Sequence, residues 1–159
     1  MKVPEALARL LDGRPAVGVT EQAFPFLTVD EAGFPHVALL SRAELGVSPG
    51  GGEVLAVVAS TRTRSNLERG GMAGLIAVEG TTAHYAKLRV VRTIEAGPVL
   101  GCALAVAEHK ADSLGIPLSP VSFTTTARIA QAEDWAASER LLRALAAGAP
   151  GPAAPAGPA

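Results

Sequence analysis

The segment FPFLTVDEAGFPHVALLSRAEL constrains the fold of this chain more than any other. Its β-rich runs flank the turn DEAGFP, punctuated by Gly33 and Pro35, and a connection this short joins antiparallel neighbours into a hairpin. A second Gly-rich loop, GVSPGGGE, then leads to VLAVVAS (Val54 to Ser60), an unbroken apolar run that reads as a strand covered on both faces. MAGLIAVEG (Met72 to Gly80) reads as another strand. TTAHYAKLRVVRTIEA (Thr81 to Ala96) reads as a long, partly exposed strand in which apolar and polar residues roughly alternate.

Helical spacing appears around these strands. From Pro4 to Asp12 the residues Ala6, Leu7, Leu10 and Leu11 fall on one helical stripe, with Gly13 as the stop. GPVLGCALAVAEHKADSLG is predicted to be helical, opened by Pro98 and closed by Gly115. VSFTTTARIAQA (Val121 to Ala132) is β-like again. AEDWAASERLLRALAAG is predicted to be a final amphipathic helix, its acids early and its arginines late, as the helix dipole favours. Strands do not alternate one for one with helices, which argues against a doubly wound parallel sheet. The expected fold is mainly β: a six- to seven-stranded, mostly antiparallel barrel with peripheral helices.

The folding unit is read as one domain, residues 1–146. The remaining stretch, 147–159, holds four of the 12 prolines beside only Ala and Gly, and is expected to be disordered because it has too little side chain to offset ordering entropy. The net charge of −1 gives no global pull toward nucleic acid or an acidic membrane, so any anion site must be local. A single cysteine, Cys102, excludes an intrachain disulfide framework and a multi-cysteine metal site. MKVPEALARLLDG carries Glu5 and Arg9 inside its apolar pattern, unlike a signal peptide, and no apolar run is long enough to span a bilayer. A cytoplasmic location without membrane attachment is therefore expected.

The stretch ASTRTRSNLERGG, from Ala59 to Gly71, is the one candidate site with a clear chemistry. Thr61, Thr63 and Ser65 offer hydroxyl donors and Arg62 and Arg64 offer guanidinium forks. The amides of Ser65 to Leu67 would open a helical turn, and together these groups suit one phosphate. The same letters also read as a solvated turn, with Ser65 as N-cap and Glu68 completing a capping box. Both readings stay open on the residues alone. Elsewhere the chemistry is sparse. His36 falls on a predicted strand, His84 at the start of the long strand and His109 in the predicted helix, with no metal-site spacing among them. Cys102, in CALAVA, reads as a buried small hydrophobe. Neither Ser41 nor Ser48 nor Ser60 sits in a GxSxG elbow. The aromatics are too few and scattered for stacked bases, which disfavours nucleic acid as a partner.

The order of elements from Glu5 to Glu95, with a weaker continuation to Leu145, resembles the pyridoxamine 5′-phosphate oxidase-like family of FMN-binding split β-barrels. The carrying features are the leading helix, the strand–turn–strand FLTVDEAGFPHVALLS with its D-x-x-G-x-P turn, and VLAVVASTRTRSNLERGGMAGLIAVEG as strand, polar loop, short helix and strand. The resemblance implies a homodimer with FMN at the subunit interface. It assigns Thr61, Arg62, Thr63, Arg64 and Ser65 to the FMN phosphate. The strand from Pro35 to Ser41 would run under the flavin ring, with His36, Ser41 and nearby amides as ring contacts. Tyr85, Lys87 and Arg89 would face the partner or the mouth of the site. The implied activity is a flavin-dependent oxidoreduction of a small molecule, the flavin itself carrying the electrons. Related split barrels use the deazaflavin F420 instead, and a flavin-binding module or a structural dimer without turnover is the other reading. The family's oxidase proper ends in a tryptophan followed by an RLxP-like motif. Trp135 is followed by a helix without that motif, which argues against pyridoxamine 5′-phosphate as substrate.

Overall fold

The computed structural model describes residues 1–148; the expected disordered tail lies outside the described residues from position 149 onward. The elements run α1 (Glu5–Leu11), β1 (Thr20–Gln22), β2 (Phe24–Val29), β3 (Pro35–Leu40), β4 (Leu45–Val47), β5 (Val54–Val58), α2 (Thr61–Gly70), β6 (Met72–Glu79), β7 (Thr82–Ala96), β8 (Val99–Ser113), β9 (Ser122–Thr124), α3 (Ala127–Ala132) and α4 (Trp135–Ala146). Seven strands form one antiparallel sheet in the order β3-β2-β6-β7-β8-β5-β4, and β1 pairs with β9 in a separate ribbon.

Connectivity forces this sheet to curl. Its two edge strands, β3 and β4, are joined by only the four residues between Leu40 and Leu45. Five chain steps reach about 17 Å at most, whereas the outer strands of a flat seven-stranded sheet stand about 29 Å apart. The edges must therefore approach each other, giving a half-barrel whose concave face is the core. Phe24, Phe26, Leu40, Leu45, Val58, Leu75, Leu88, Leu100 and Leu104 fill it. Helix α1 caps one end with the fully buried Leu7 and Leu11. Helix α2 lies at the other end, where the buried Asn66 donates to Thr28 Oγ1 of β2 at 3.0 Å.

The hairpin appears as expected, Phe24 pairing Leu40 and Val29 pairing Pro35. All five residues of β5 are buried. Its second face is covered by α4, whose Leu141 and Leu145 join Leu55, Val57, Ile94 and Ala103 in a second cluster outside the barrel.

Three expectations are corrected. The segment predicted as a helix from Pro98 to Gly115 is strand β8, paired along its length with β7 and along Leu100–Leu104 with β5. Gly97, at φ +59°, and Pro98 form the two-residue turn between Ala96 and Val99, because the first central position of such a hairpin demands a positive φ that glycine adopts freely. His109 therefore lies on a strand. Second, α2 begins at Thr61, and its N-cap is Ser60, whose side chain accepts from the Thr63 amide; Ser65 is inside the helix. Third, the β-like stretch from Val121 shortens to β9, after which Thr126 caps α3.

Candidate functional site

The sequence Thr61–Gly70 places Arg62, Ser65, Asn66 and Arg69 at i, i+3, i+4 and i+7, one face of a helix. That face turns toward the β2–β3 hairpin. Between them lies a cleft of about 380 Å³ lined by Asp30, Glu31, His36, Thr61, Arg62, Ser65, Asn66 and Arg69. Asp30 is committed to its own turn, its Oδ1 accepting from the amides of Ala32 and Phe34 at 3.0 and 2.8 Å. Arg69 donates through Nη2 to Val29 O at 2.6 Å and to Asn66 Oδ1 at 2.9 Å. With the Asn66–Thr28 bond this forms a polar chain that fixes α2 against the hairpin.

Among the described residues, what remains uncommitted in the cleft is the Arg62 guanidinium, the hydroxyls of Thr61 and Ser65, and the His36 imidazole. Among the described residues Arg62 has no carboxylate partner. A cationic fork, two hydroxyls and the open first turn of a capped helix can receive an anionic oxygen cluster. Glu31 faces the same cleft and opposes that charge.

The structure thus gathers four of the seven residues named from sequence: Thr61, Arg62, Ser65 and His36. It sends the other three elsewhere. Thr63 is fully buried under α2, its Oγ1 without a hydrogen-bond partner. Arg64 turns to the β7–β8 hairpin, where Nε meets Glu68 at 2.9 Å, Nη2 meets Glu95 at 3.4 Å and Nη1 donates to Gly97 O at 3.2 Å. The hydrogen bond to Glu68 pushes its pKa above the ordinary arginine value. Ser41 is buried at the far end of β3, where its amide holds Glu44 Oε2 at 2.9 Å. Asn66 and Arg69 were missed, and the signal for them was available. Once the helix is read from Ser60 onward, both fall on the Arg62 face.

Strand β3 is a sheet edge, so one side of its backbone ladder has no strand partner among the described residues. Its outward side chains Val37 and Leu39 continue across the sheet to Leu27, Val29, Met72 and Gly74. Here a groove of about 470 Å³ is rimmed by Lys87, Arg89 and Glu108. Lys87 pairs with Glu108 at 2.7 Å. Tyr85 belongs to a different hollow, beside Leu114, Ile116 and Leu118.

The structure also joins two histidines that sequence spacing left apart. His84 Nδ1 and His109 Nε2 lie 3.1 Å apart with ring planes 17° from parallel, on the concave side of neighbouring strands. The centroids are 5.3 Å apart, about the sum of that contact and two ring radii, so the nitrogens point at each other in one hydrogen bond. Burial, and then the field of His109, lowers the His84 pKa. Among the described residues no group of three or more His, Cys, Asp or Glu side chains is placed to hold a metal ion. Cys102 is fully buried and burial pushes its thiol up to about 12.

No protein-family model matches the sequence, and no curated protein matches it. Solved structures do share the fold. An F420 reductase superposes with a TM-score of 0.51 at 12% identity, over 68% of this chain and 98% of that one. The flavin reductase of styrene monooxygenase from Pseudomonas putida S12 gives 0.51 at 11%, over 67% and 88%. The HupZ protein of Group A Streptococcus gives 0.53 at 13%, over 74% and 99%. At these identities the likeness establishes the split-barrel fold and nothing finer.

Proposed function

We propose that this protein is a flavin-dependent oxidoreductase that binds FMN, working as a homodimer on a small molecule. The observation that carries the reading is the α2 cleft, where Arg62, Thr61, Ser65 and His36 converge without side-chain partners among the described residues. Those groups fit a terminal phosphate: Arg62 would supply the charge and the two hydroxyls the remaining hydrogen bonds. The bound flavin would accept and release electrons as hydride equivalents. The protein's own part is to bind and orient it. The open edge of β3 offers backbone groups to the heteroatoms of a ring, and Val37 and Leu39 offer apolar surface to its face. A second copy would cover that surface. The fold's occurrence in flavin reductases supports this reading, and its occurrence in an F420 reductase supports testing the deazaflavin in parallel.

The absorption spectrum of the purified protein, followed by titration with FMN, riboflavin and F420, tests the reading. FMN is expected to bind at least tenfold more tightly than riboflavin, since riboflavin lacks the phosphate. Arg62→Ala is expected to weaken FMN by about 1.5–3 kcal/mol, the worth of a charge-assisted bond, while leaving riboflavin unchanged. A colourless protein that takes up neither FMN nor F420 would leave only a structural role for the barrel. Oxidation of a reduced nicotinamide by the loaded protein would distinguish an enzyme from a passive flavin carrier.

A further inference from the structure

At the opposite end of β3 from the α2 cleft lies a second pocket, of about 280 Å³. Its walls are Ala23, Leu39, Leu40, Val121, Phe123 and Ile129, contributed by the barrel edge, the β1–β9 ribbon and α3. Among the described residues its charged lining is two acids, Glu44 and Glu133, with no lysine, arginine or histidine. We infer that this pocket binds a small organic cation, a protonated primary amine carrying a compact apolar or aromatic body.

Each carboxyl group is held through one of its oxygens. Glu44 Oε2 accepts from the amide and hydroxyl of Ser41 at 2.9 and 3.4 Å. Glu133 Oε2 accepts from the indole N–H of Trp135 at 3.0 Å. Among the described residues the second oxygen of each has no hydrogen-bond partner, so each carboxyl keeps an acceptor for a ligand. The two acids come from separate elements, the β3–β4 turn and the α3–α4 junction, and are close enough for the charge of Glu133 to act on Glu44. An open, mostly apolar hollow with two acids and no base among its described lining residues is electrostatically complementary to a monocation. An ammonium group can donate to the free oxygen of Glu44 with the charge of Glu133 acting on the same site, while Phe123 and the aliphatic wall take the body of the ligand. Burial raises the Glu44 pKa to about 7, and a bound cation would draw it back toward the ionised form. This site shares no residue with the α2 cleft, and only Leu39 with the apolar surface proposed for the flavin ring, so it is tested apart from the phosphate site.

Benzylammonium is the probe and benzyl alcohol its neutral counterpart, titrated into the full chain at pH 8 by calorimetry and by amide chemical shifts. Benzylammonium is expected to bind, with shifts concentrated at Ser41, Val121 and Phe123, and about tenfold more tightly than the alcohol. Glu133→Gln should weaken it about tenfold and the Glu44→Gln, Glu133→Gln pair further. Affinity should also fall as pH is lowered from 8 to 6, as Glu44 takes up its proton. Glu133 is at the surface, so its variant remains informative if the Glu44 variant folds poorly. Equal affinity for amine and alcohol, unchanged binding by the double variant, shifts confined to other regions, or no binding at millimolar probe would each overturn the inference.

Discussion

Glu44 shows how burial sets the chemistry of a single side chain. Its raised pKa, about 7 against 4.5, means the folded state holds the proton more tightly than the unfolded chain. The corresponding stability is complete below pH 4.5 and is lost as pH rises through 7. The full shift is worth about 3 kcal/mol, and solvent at the pocket mouth reduces the expected loss to about 1–2 kcal/mol. Glu44→Gln should therefore match the wild type in urea unfolding at pH 4.5 and exceed it by that amount at pH 8. A stability difference that does not change with pH would contradict the account. Cys102 makes the complementary case. It is fully enclosed with its thiol pushed up to about 12, so it should not react with a disulfide reagent at pH 8 until the chain is unfolded. Its inertness was readable from the apolar letters around it. The proton affinity of Glu44 was not, because the burial that sets it, and the charge of Glu133 that adds to it, arise only through tertiary structure.

At the scale of elements, the strands read correctly wherever one local pattern decided them. The hairpin announced itself through Gly33 and Pro35, and β5 through five apolar residues in a row. Strand β8 did not, and the reason is physical: from Leu100 to Leu104 it is buried on both faces, by the barrel on one side and α4 on the other. A doubly buried run carries no period of 2, so GCALAVA looks equally like a buried helix. The deciding signal was Gly97–Pro98, which opens a hairpin and not a helix. Helix α2 failed in a smaller way. The match of Ser65 and Glu68 to a capping box drew attention from Ser60, and Glu68 serves instead as the i+4 partner of Arg64. The contact of β8 with α4 also yields a sharp packing test. A Cβ at Gly101 would lie 2.9 Å from Leu141 Cγ and 3.1 Å from Leu145 Cδ1. Gly101→Ala should cost about 1–3 kcal/mol by overpacking. Combining it with Leu141→Ala should cost less than the two single changes summed, because the second substitution makes the missing room. Additive costs in a double-mutant cycle would mean that α4 does not press on β8 as the structure has it.

At the scale of the molecule, the curl that encloses the core also determines what is left outside. Helix α4 covers the outer faces of β5 and β8, but among the described residues no element covers the outer faces of β3, β2 and β6. Val37 and Met72 there are 52% and 54% exposed, and Val29 and Leu39 are exposed beside them. Isolated apolar residues on a surface need no explanation, but a continuous stripe across three adjacent strands does. Gly74 lines the groove at its centre, and its rim holds Arg89 alongside the Lys87–Glu108 pair. A twofold partner placing the same stripe against this one would bury apolar strand surface and leave the charged rim at the periphery, as stable interfaces do. Sedimentation equilibrium should accordingly give about twice the 16.1 kDa chain mass at micromolar concentration. Val37→Asp together with Met72→Asp should return the protein to a monomer, since each copy would bury two carboxylates without partners. Both positions are exposed in the single chain, so the substituted monomer should keep its circular dichroism spectrum and unfold cooperatively. A wild-type chain that sediments as a monomer throughout, or a doubly substituted chain that still pairs, would show that this face is not where two copies meet.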